Sequence, residues 1–184
     1  MYKGKYLCVY CGASERADPA YYQAAEELGK LIATNGFNMV YGGGRLGLMG
    51  RVSNSVVEHG GLVVGVTTEQ LDEREGVQHG LHELHIVDTM HTRKLRMSEK
   101  ADGFIIMPGG YGTLDEFFEI LTWKQLGLHQ KPIIIANINN YWDSLIALYN
   151  HVIETDFARK EHTHYVQVEN TLEDVIKAAK QLLR

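Results

Sequence analysis

Cysteine is almost missing from this chain: Cys8 and Cys11 are the two in 184 residues. A disulfide scaffold is therefore excluded, because such domains rely on several bridges. Proline is scarce too, at three residues, which excludes collagen-like and proline-rich disordered chains. Basic charge is not in excess. Eighteen Lys and Arg face 23 Asp and Glu, a formal net charge of −5. Proteins that coat nucleic acid or anionic membranes usually carry the opposite sign, so neither partner is expected. No apolar run reaches the roughly 18 residues of a bilayer span. Met1-Tyr2-Lys3-Gly4-Lys5 leads straight into a short apolar run with no signal-peptide cleavage pattern. The expectation is a soluble, cytoplasmic chain forming one domain over residues 1–184, long enough to bury a core unaided.

Glycine is plentiful, at 19 residues, several of them in two clusters. Around those clusters the apolar runs alternate between two lengths. Short β-rich runs lie near Tyr6–Tyr10, Phe37–Tyr41, Leu62–Val66, Leu84–Val87, Phe104–Met107, Pro132–Ala136 and Tyr165–Val168. Most are continuously apolar, as strands buried on both faces are. Helical spacing fills the intervals: Pro19–Thr34, Leu48–Glu58, Thr89–Ala101, Thr113–Leu126, Trp142–Ile153 and Leu172–Leu183. This alternation predicts a three-layer α/β fold, with a parallel sheet of about seven strands and helices on both faces. The polar stretch Glu69–Gly80 reads as a surface loop.

Ligands of open α/β sheets bind beyond the carboxyl ends of the strands, and three strand ends carry unusual residues. Gly42-Gly43-Gly44-Arg45-Leu46-Gly47 follows a strand and opens a helix. Glycines there permit a tight turn and close backbone approach, and a helix N-terminus offers donors and partial positive charge to a phosphate. Gly42, Gly44 and Gly47 match a dinucleotide-binding spacing, but no clear acidic residue ends the next strand, and no Lys-Ser/Thr follows to make a P-loop. Pro108-Gly109-Gly110-Tyr111-Gly112-Thr113-Leu114-Asp115-Glu116 is the second such turn. Glu116 has two readings. Thr113-x-x-Glu116 fits a capping box, and the same carboxylate lies at the mouth of a phosphate-friendly turn. The third is Met90-His91-Thr92-Arg93-Lys94, where Arg93, Arg96 and Lys100 share one helical face. Arg can bind phosphate or carboxylate through two bonds at once, which Lys cannot.

Other constellations carry less. Cys8-x-x-Cys11 falls on a strand, where positions three apart face opposite ways, and no further cysteine completes a zinc site. His79, His82, His85, His162 and His164 lack acidic partners at a defined spacing. No metal site and no cofactor are expected.

Arg93-Lys94 after Met90-His91, together with Pro108-Gly-Gly-x-Gly-Thr-x-x-Glu116, resembles the Lonely Guy (LOG) family of cytokinin riboside 5′-monophosphate phosphoribohydrolases. The similarity runs from Cys11-Gly12-Ala13-Ser14 through the Tyr41-Gly-Gly-Gly turn to Trp123-Lys124-Gln125-Leu126-Gly127. It implies a Rossmann-like fold, a homodimer, and hydrolysis of a nucleoside 5′-monophosphate to free base and ribose 5-phosphate. It implies Arg93 and Glu116 as the catalytic pair. Ala13 stands where members commonly carry Ser, leaving Ser14 as the hydroxyl of that turn.

Cleaving a ribosyl C–N bond develops positive charge on the sugar, which a carboxylate near C1′ stabilises. The substrate-binding expectation comprises Ser14, Gly43, Gly44, Met90, Arg93, Lys94, Pro108, Gly109, Gly110, Tyr111, Gly112 and Thr113, with Met90, Met97 and Trp123 as candidate lining for the base. A nicotinamide oxidoreductase ranks last, for want of a ribose-binding acid. The rival from another class is a non-catalytic nucleotide-binding or carrier module, like the molybdenum-cofactor carriers or the Rossmann-like part of DNA-processing protein A. Finally, Leu114, Phe117, Phe118 and Leu121 predict the sheet-facing stripe of their helix. Ile120, Trp123 and Leu126 then form a second apolar face, and a helix apolar on two sides is buried on two sides, which again points to a homodimer.

Overall fold

The computed structural model describes residues 4–76, 78 and 80–183. Seven strands form one parallel sheet: β1 (Tyr6–Tyr10), β2 (Asn38–Tyr41), β3 (Val63–Thr68), β4 (Glu83–Val87), β5 (Gly103–Ile106), β6 (Ile133–Ala136) and β7 (Val166–Glu169). Their order is β4-β3-β2-β1-β5-β6-β7. The chain winds outward from β1 in one direction as far as β4, then returns to place β5 on the other side of β1. The reversal between β1 and β5 opens a crevice at their carboxyl ends, where ligands bind in such sheets.

The continuous apolar runs are explained by helices on both sides. On one face, Leu7, Val9, Met39 and Ile105 pack under α1 (Pro19–Thr34), α2 (Gly47–Glu58) and α7 (Leu172–Leu182) through Leu28, Ile32, Val52, Val56 and Val175. On the other, Cys8, Tyr10, Val64, Phe104 and Ile106 pack under α4 (Met90–Lys100), α5 (Tyr111–Gln125) and α6 (Asp143–Glu154) through Met97, Phe117, Ile120 and Leu145. Cys8 and Cys11 enter opposite cores as unpaired thiols, as strand alternation requires. The two edge strands, β4 and β7, are the exceptions to two-sided burial; in β7 only Val166 is buried. In β4, Leu84 and Ile86 are exposed, so its burial alternates.

Three expectations are corrected. The stretch Glu69–Gly80 opens with a short helix, α3 (Glu69–Glu75), because the Thr68 side chain caps it by accepting from Leu71 N–H at 3.3 Å; Val77 and His79 lie outside the described residues. On α4, Arg93 is buried whereas Arg96 and Lys100 are exposed, so the three do not share a surface. On α5 the inward face is Thr113, Glu116, Phe117, Ile120 and Lys124. Of the stripe expected on the sheet, Phe117 is buried there, Leu114 and Leu121 are half-buried against the same core, and Phe118 is exposed; of the face expected outward, Ile120 is buried, Trp123 is half-buried and Leu126 is exposed. The reason is polar: the inward side chains of Glu116 and Lys124 have partners there, Arg93 for one and the carbonyls of Lys131 and Tyr165 for the other.

Candidate active site

A single cavity of about 560 Å³ opens over the β1/β5 crevice, a size suited to a small-molecule ligand. The loops after β1, β2 and β5, together with α4 and Tyr141, build its walls. The loops after β1 and β5 are tied together directly, since Gly12 N–H donates to the Pro108 carbonyl at 3.0 Å.

Arg93 fixes the floor. Its Nε donates to Val66 O at 3.0 Å, Nη2 to Gly42 O at 3.1 Å and Nη1 to Glu116 Oε1 at 3.2 Å. One guanidinium thus joins the ends of β2 and β3 to α5, using a planar fork that an ammonium lacks. Gly42 is glycine for this reason: a Cβ there would lie 1.8 Å from Arg93 Nη2. Glu116 is 9% exposed, and burial pushes its carboxyl up to about 7, against a partial pull downward from Arg93. A cleft carboxylate poised near neutrality can give or take a proton and can stabilise a nearby cation.

Thr113-x-x-Glu116 is not a capping box. Gly110 takes the N-cap position, so Glu116 lies in the second turn and reaches across to Arg93 rather than back to the helix start. The caps themselves are informative. Asp18, Thr68, Thr89 and Thr171 cap α1, α3, α4 and α7 with side-chain hydrogen bonds. The helices that follow the two glycine turns, α2 and α5, have no side-chain cap, and neither does α6, whose N-cap is Trp142. Leu48 N–H of α2 donates to Gly12 O, whereas the first turn of α5 presents its donors beside the cavity. An anion fits such a terminus.

Most of the expected binding residues meet in this cavity. Ser14, Gly44, Met90, Arg93, Pro108, Gly109, Gly110, Gly112, Thr113 and Glu116 line it. Three do not. Gly43 turns away with φ of +76° against Thr67, and its carbonyl accepts from Gln78 N–H. Lys94 is buried between α4 and α5, its Nζ 3.0 Å from both Asp115 Oδ2 and Glu119 Oε1. Tyr111 is 93% exposed. Of the candidate base lining, Met97 is core and Trp123 packs against that core; Met90 alone reaches the cavity. Tyr21 and Tyr141, absent from the expected set, form an edge-on aromatic pair in the wall, with ring centroids 5.5 Å apart. Tyr141 follows the carboxyl end of β6, so the strand-end rule itself was the available signal.

Residues 49–179 match the family model described as possible lysine decarboxylase. A cytokinin riboside 5′-monophosphate phosphoribohydrolase from Rhodococcoides fascians is 43% identical over 175 residues, covering 95% of this chain and 88% of that protein. One from Arabidopsis thaliana is 37% identical over 179 residues, covering 96% and 83%. The chain belongs to this phosphoribohydrolase, or LOG, family. Among solved structures, the molybdenum cofactor binding protein of Rippkaea orientalis superposes with a TM-score of 0.77 at 22% identity, covering all of both chains. DNA processing protein A of Helicobacter pylori reaches 0.60 at 15%, covering 97% of this chain and 81% of that one. These two likenesses establish the shared fold. The decarboxylase description of the family model does not fit the cavity. Pyridoxal chemistry needs a Schiff-base lysine, and no described lysine lines the site.

The charge state of Glu116 is open to a stability measurement. Its folded-state value of about 7 lies above the ordinary 4.5. Between those values the folded chain holds a proton that the unfolded chain has released, so stability falls as pH rises through the window. Glu116→Gln does not titrate. Its melting temperature minus that of the wild type should therefore increase from about pH 5 to about pH 8. A constant difference across that range would mean that Glu116 titrates at its ordinary value.

Proposed function

We propose that this chain hydrolyses the N-glycosidic bond of adenosine 5′-monophosphates, N6-substituted ones included, to free base and ribose 5-phosphate. The observation that carries the reading is the pairing within one cavity of a buried carboxylate, Glu116 held by Arg93, with the side-chain-uncapped N-terminus of α5. The relatives' names point to the same reaction.

In this reading the backbone N–H groups at the start of α5 and the Thr113 hydroxyl hold the phosphate. That grip is remote from the scissile bond, and its binding energy positions the sugar. As the C1′–N bond lengthens, positive charge spreads over C1′ and the ring oxygen, and the ionised Glu116 stabilises it. The carboxylate also accepts a proton from the attacking water. Water supplies hydroxide to C1′, and the departing base gains a proton at nitrogen. Arg93 orients Glu116, and its three hydrogen bonds resist rotation of the fork. Residues 1–184 act as one Rossmann-like unit. Two buried, unpaired cysteines suit a reducing cytoplasm. No helix among the described residues is long and apolar enough to cross a membrane.

We assign the working form to a homodimer. On the outward side of α5 Phe118 is 39% exposed between half-buried Leu114 and Leu121, and Leu126, beyond the helix end, is 66% exposed. A two-fold contact is the commonest cover for such a surface. In sedimentation velocity the wild type should run as a dimer, and Phe118→Asp should shift it to monomer with a parallel loss of activity. A fully active wild-type monomer would contradict this.

The reaction itself is tested by separating products chromatographically. AMP or an N6-substituted AMP should release free base with no added cofactor, and adenosine should react far more slowly because the phosphate grip is missing. Glu116→Gln should lose about 10²–10³-fold in rate. Free base from no monophosphate would favour a carrier on the same fold, and equal rates on AMP and adenosine would refute the phosphate grip.

A further inference from the structure

The Pro108-Gly109-Gly110 loop faces the cavity, yet two consecutive glycines give its backbone little stiffness of its own. Two hydrogen bonds restrain it from outside. Gly12 N–H donates to the Pro108 carbonyl at 3.0 Å, and the Tyr141 hydroxyl donates to the Gly109 carbonyl at 2.7 Å. Successive carbonyls are thereby held by two different strand-end loops.

The second restraint is itself unusually well supported. Tyr141 follows two residues in left-handed backbone, Asn139 with φ of 53° and Asn140 with φ of 59°. Asparagine is among the non-glycine residues that adopt this conformation most readily, so the sequence itself favours the turn. Buried Asn137 holds it. Its Oδ1 accepts from Trp142 N–H at 2.8 Å, and its Nδ2 donates to Asp143 Oδ1 at 2.9 Å and Asn170 Oδ1 at 3.2 Å. Buried Trp142 anchors the turn, and the Tyr141 ring stands edge-on to Trp142 at 4.7 Å and to Tyr21 at 5.5 Å. A turn held by Asn137 and Trp142 thus delivers one hydroxyl to one glycine carbonyl some thirty residues away.

We infer that Tyr141 is a positioning residue that orients the backbone donors at the start of α5 toward the substrate's phosphate. This rests on the proposed function above, in which α5 holds that phosphate. The link is peptide planarity. In a trans peptide the carbonyl and the following N–H point in opposite directions, and no cis peptide occurs among the described residues. Holding the Gly109 carbonyl against Tyr141 therefore holds the Gly110 N–H the opposite way. Without the hydroxyl, the Gly109–Gly110 peptide loses the hydrogen bond that fixes its plane, and the Gly110 N–H at the N-cap must be oriented when the ligand binds. That cost falls on phosphate binding, not on chemistry at C1′.

Tyr141→Phe keeps the ring and both aromatic contacts and removes only the donor. Calorimetry with ribose 5-phosphate, which carries the phosphate but no base, should show binding weakened about fivefold, the weight of one ordinary hydrogen bond. KM for AMP should rise by about the same factor with kcat within about twofold, while kcat/KM for adenosine, which has no phosphate to hold, moves less than twofold. Tyr141→Leu, lacking ring and hydroxyl, should weaken ribose 5-phosphate binding at least as much. Unchanged ribose 5-phosphate binding in Tyr141→Phe, or equal losses on AMP and adenosine, overturns the inference. Its failure is distinct from failure of the hydrolase reading: a chain that releases no base but loses ribose 5-phosphate affinity in Tyr141→Phe retains this role for Tyr141.

Discussion

The buried guanidinium of Arg93 is the interaction on which the site depends. A buried positive charge is tolerable only with partners, and Arg93 has three: the carbonyls at the ends of β2 and β3 and the carboxylate of Glu116. Those carbonyls belong to strands whose position the sheet sets, so the fork is located by the fold rather than by side-chain packing alone. Glu116 is located by the fork in turn. The glycine at position 42 follows from the same contact, because any side chain there would occupy the guanidinium's space.

Around this anchor the structure separates two tasks. Burial keeps Glu116 close to neutrality in its titration and therefore responsive to charge forming nearby. The start of α5, a few residues earlier in the chain, leaves its backbone donors without a side-chain cap, in contrast to α1, α3, α4 and α7. One helix thus carries an N-terminus without a side-chain cap and, in its second turn, a buried carboxylate held by Arg93.

Much of this was legible in the residues. Strands buried on both faces leave continuous apolar runs, and all seven runs correspond to strands; β4 and β7 differ because edge strands are covered incompletely. The glycine turns, Arg93 and Glu116 were legible because strand ends and helix starts are marked by residue type. What was hidden depends on contacts distant in sequence. Thr113-x-x-Glu116 satisfies a local capping pattern, but Gly110 starts the helix earlier and Arg93, 23 residues upstream, takes the carboxylate. Lys94 carries a charge suited to a phosphate, but Asp115 and Glu119 neutralise it across the helix pair. Two apolar stripes on α5 are equivalent by periodicity. The inward partners of Glu116 and Lys124 set the helix rotation, and the buried face takes Phe117 from one stripe and Ile120 from the other. Tyr141 has no motif of its own, since its role comes from a turn held by Asn137.

A single AMP should span the two halves of this site. A crystal structure of the Glu116→Gln variant, slowed enough to retain AMP, would show it. The phosphate should lie against the backbone N–H groups at the start of α5 and C1′ should face the side chain of residue 116, with Arg93 still on Val66 O and Gly42 O. AMP bound with its phosphate on Arg93, or with C1′ turned away from residue 116, would contradict it.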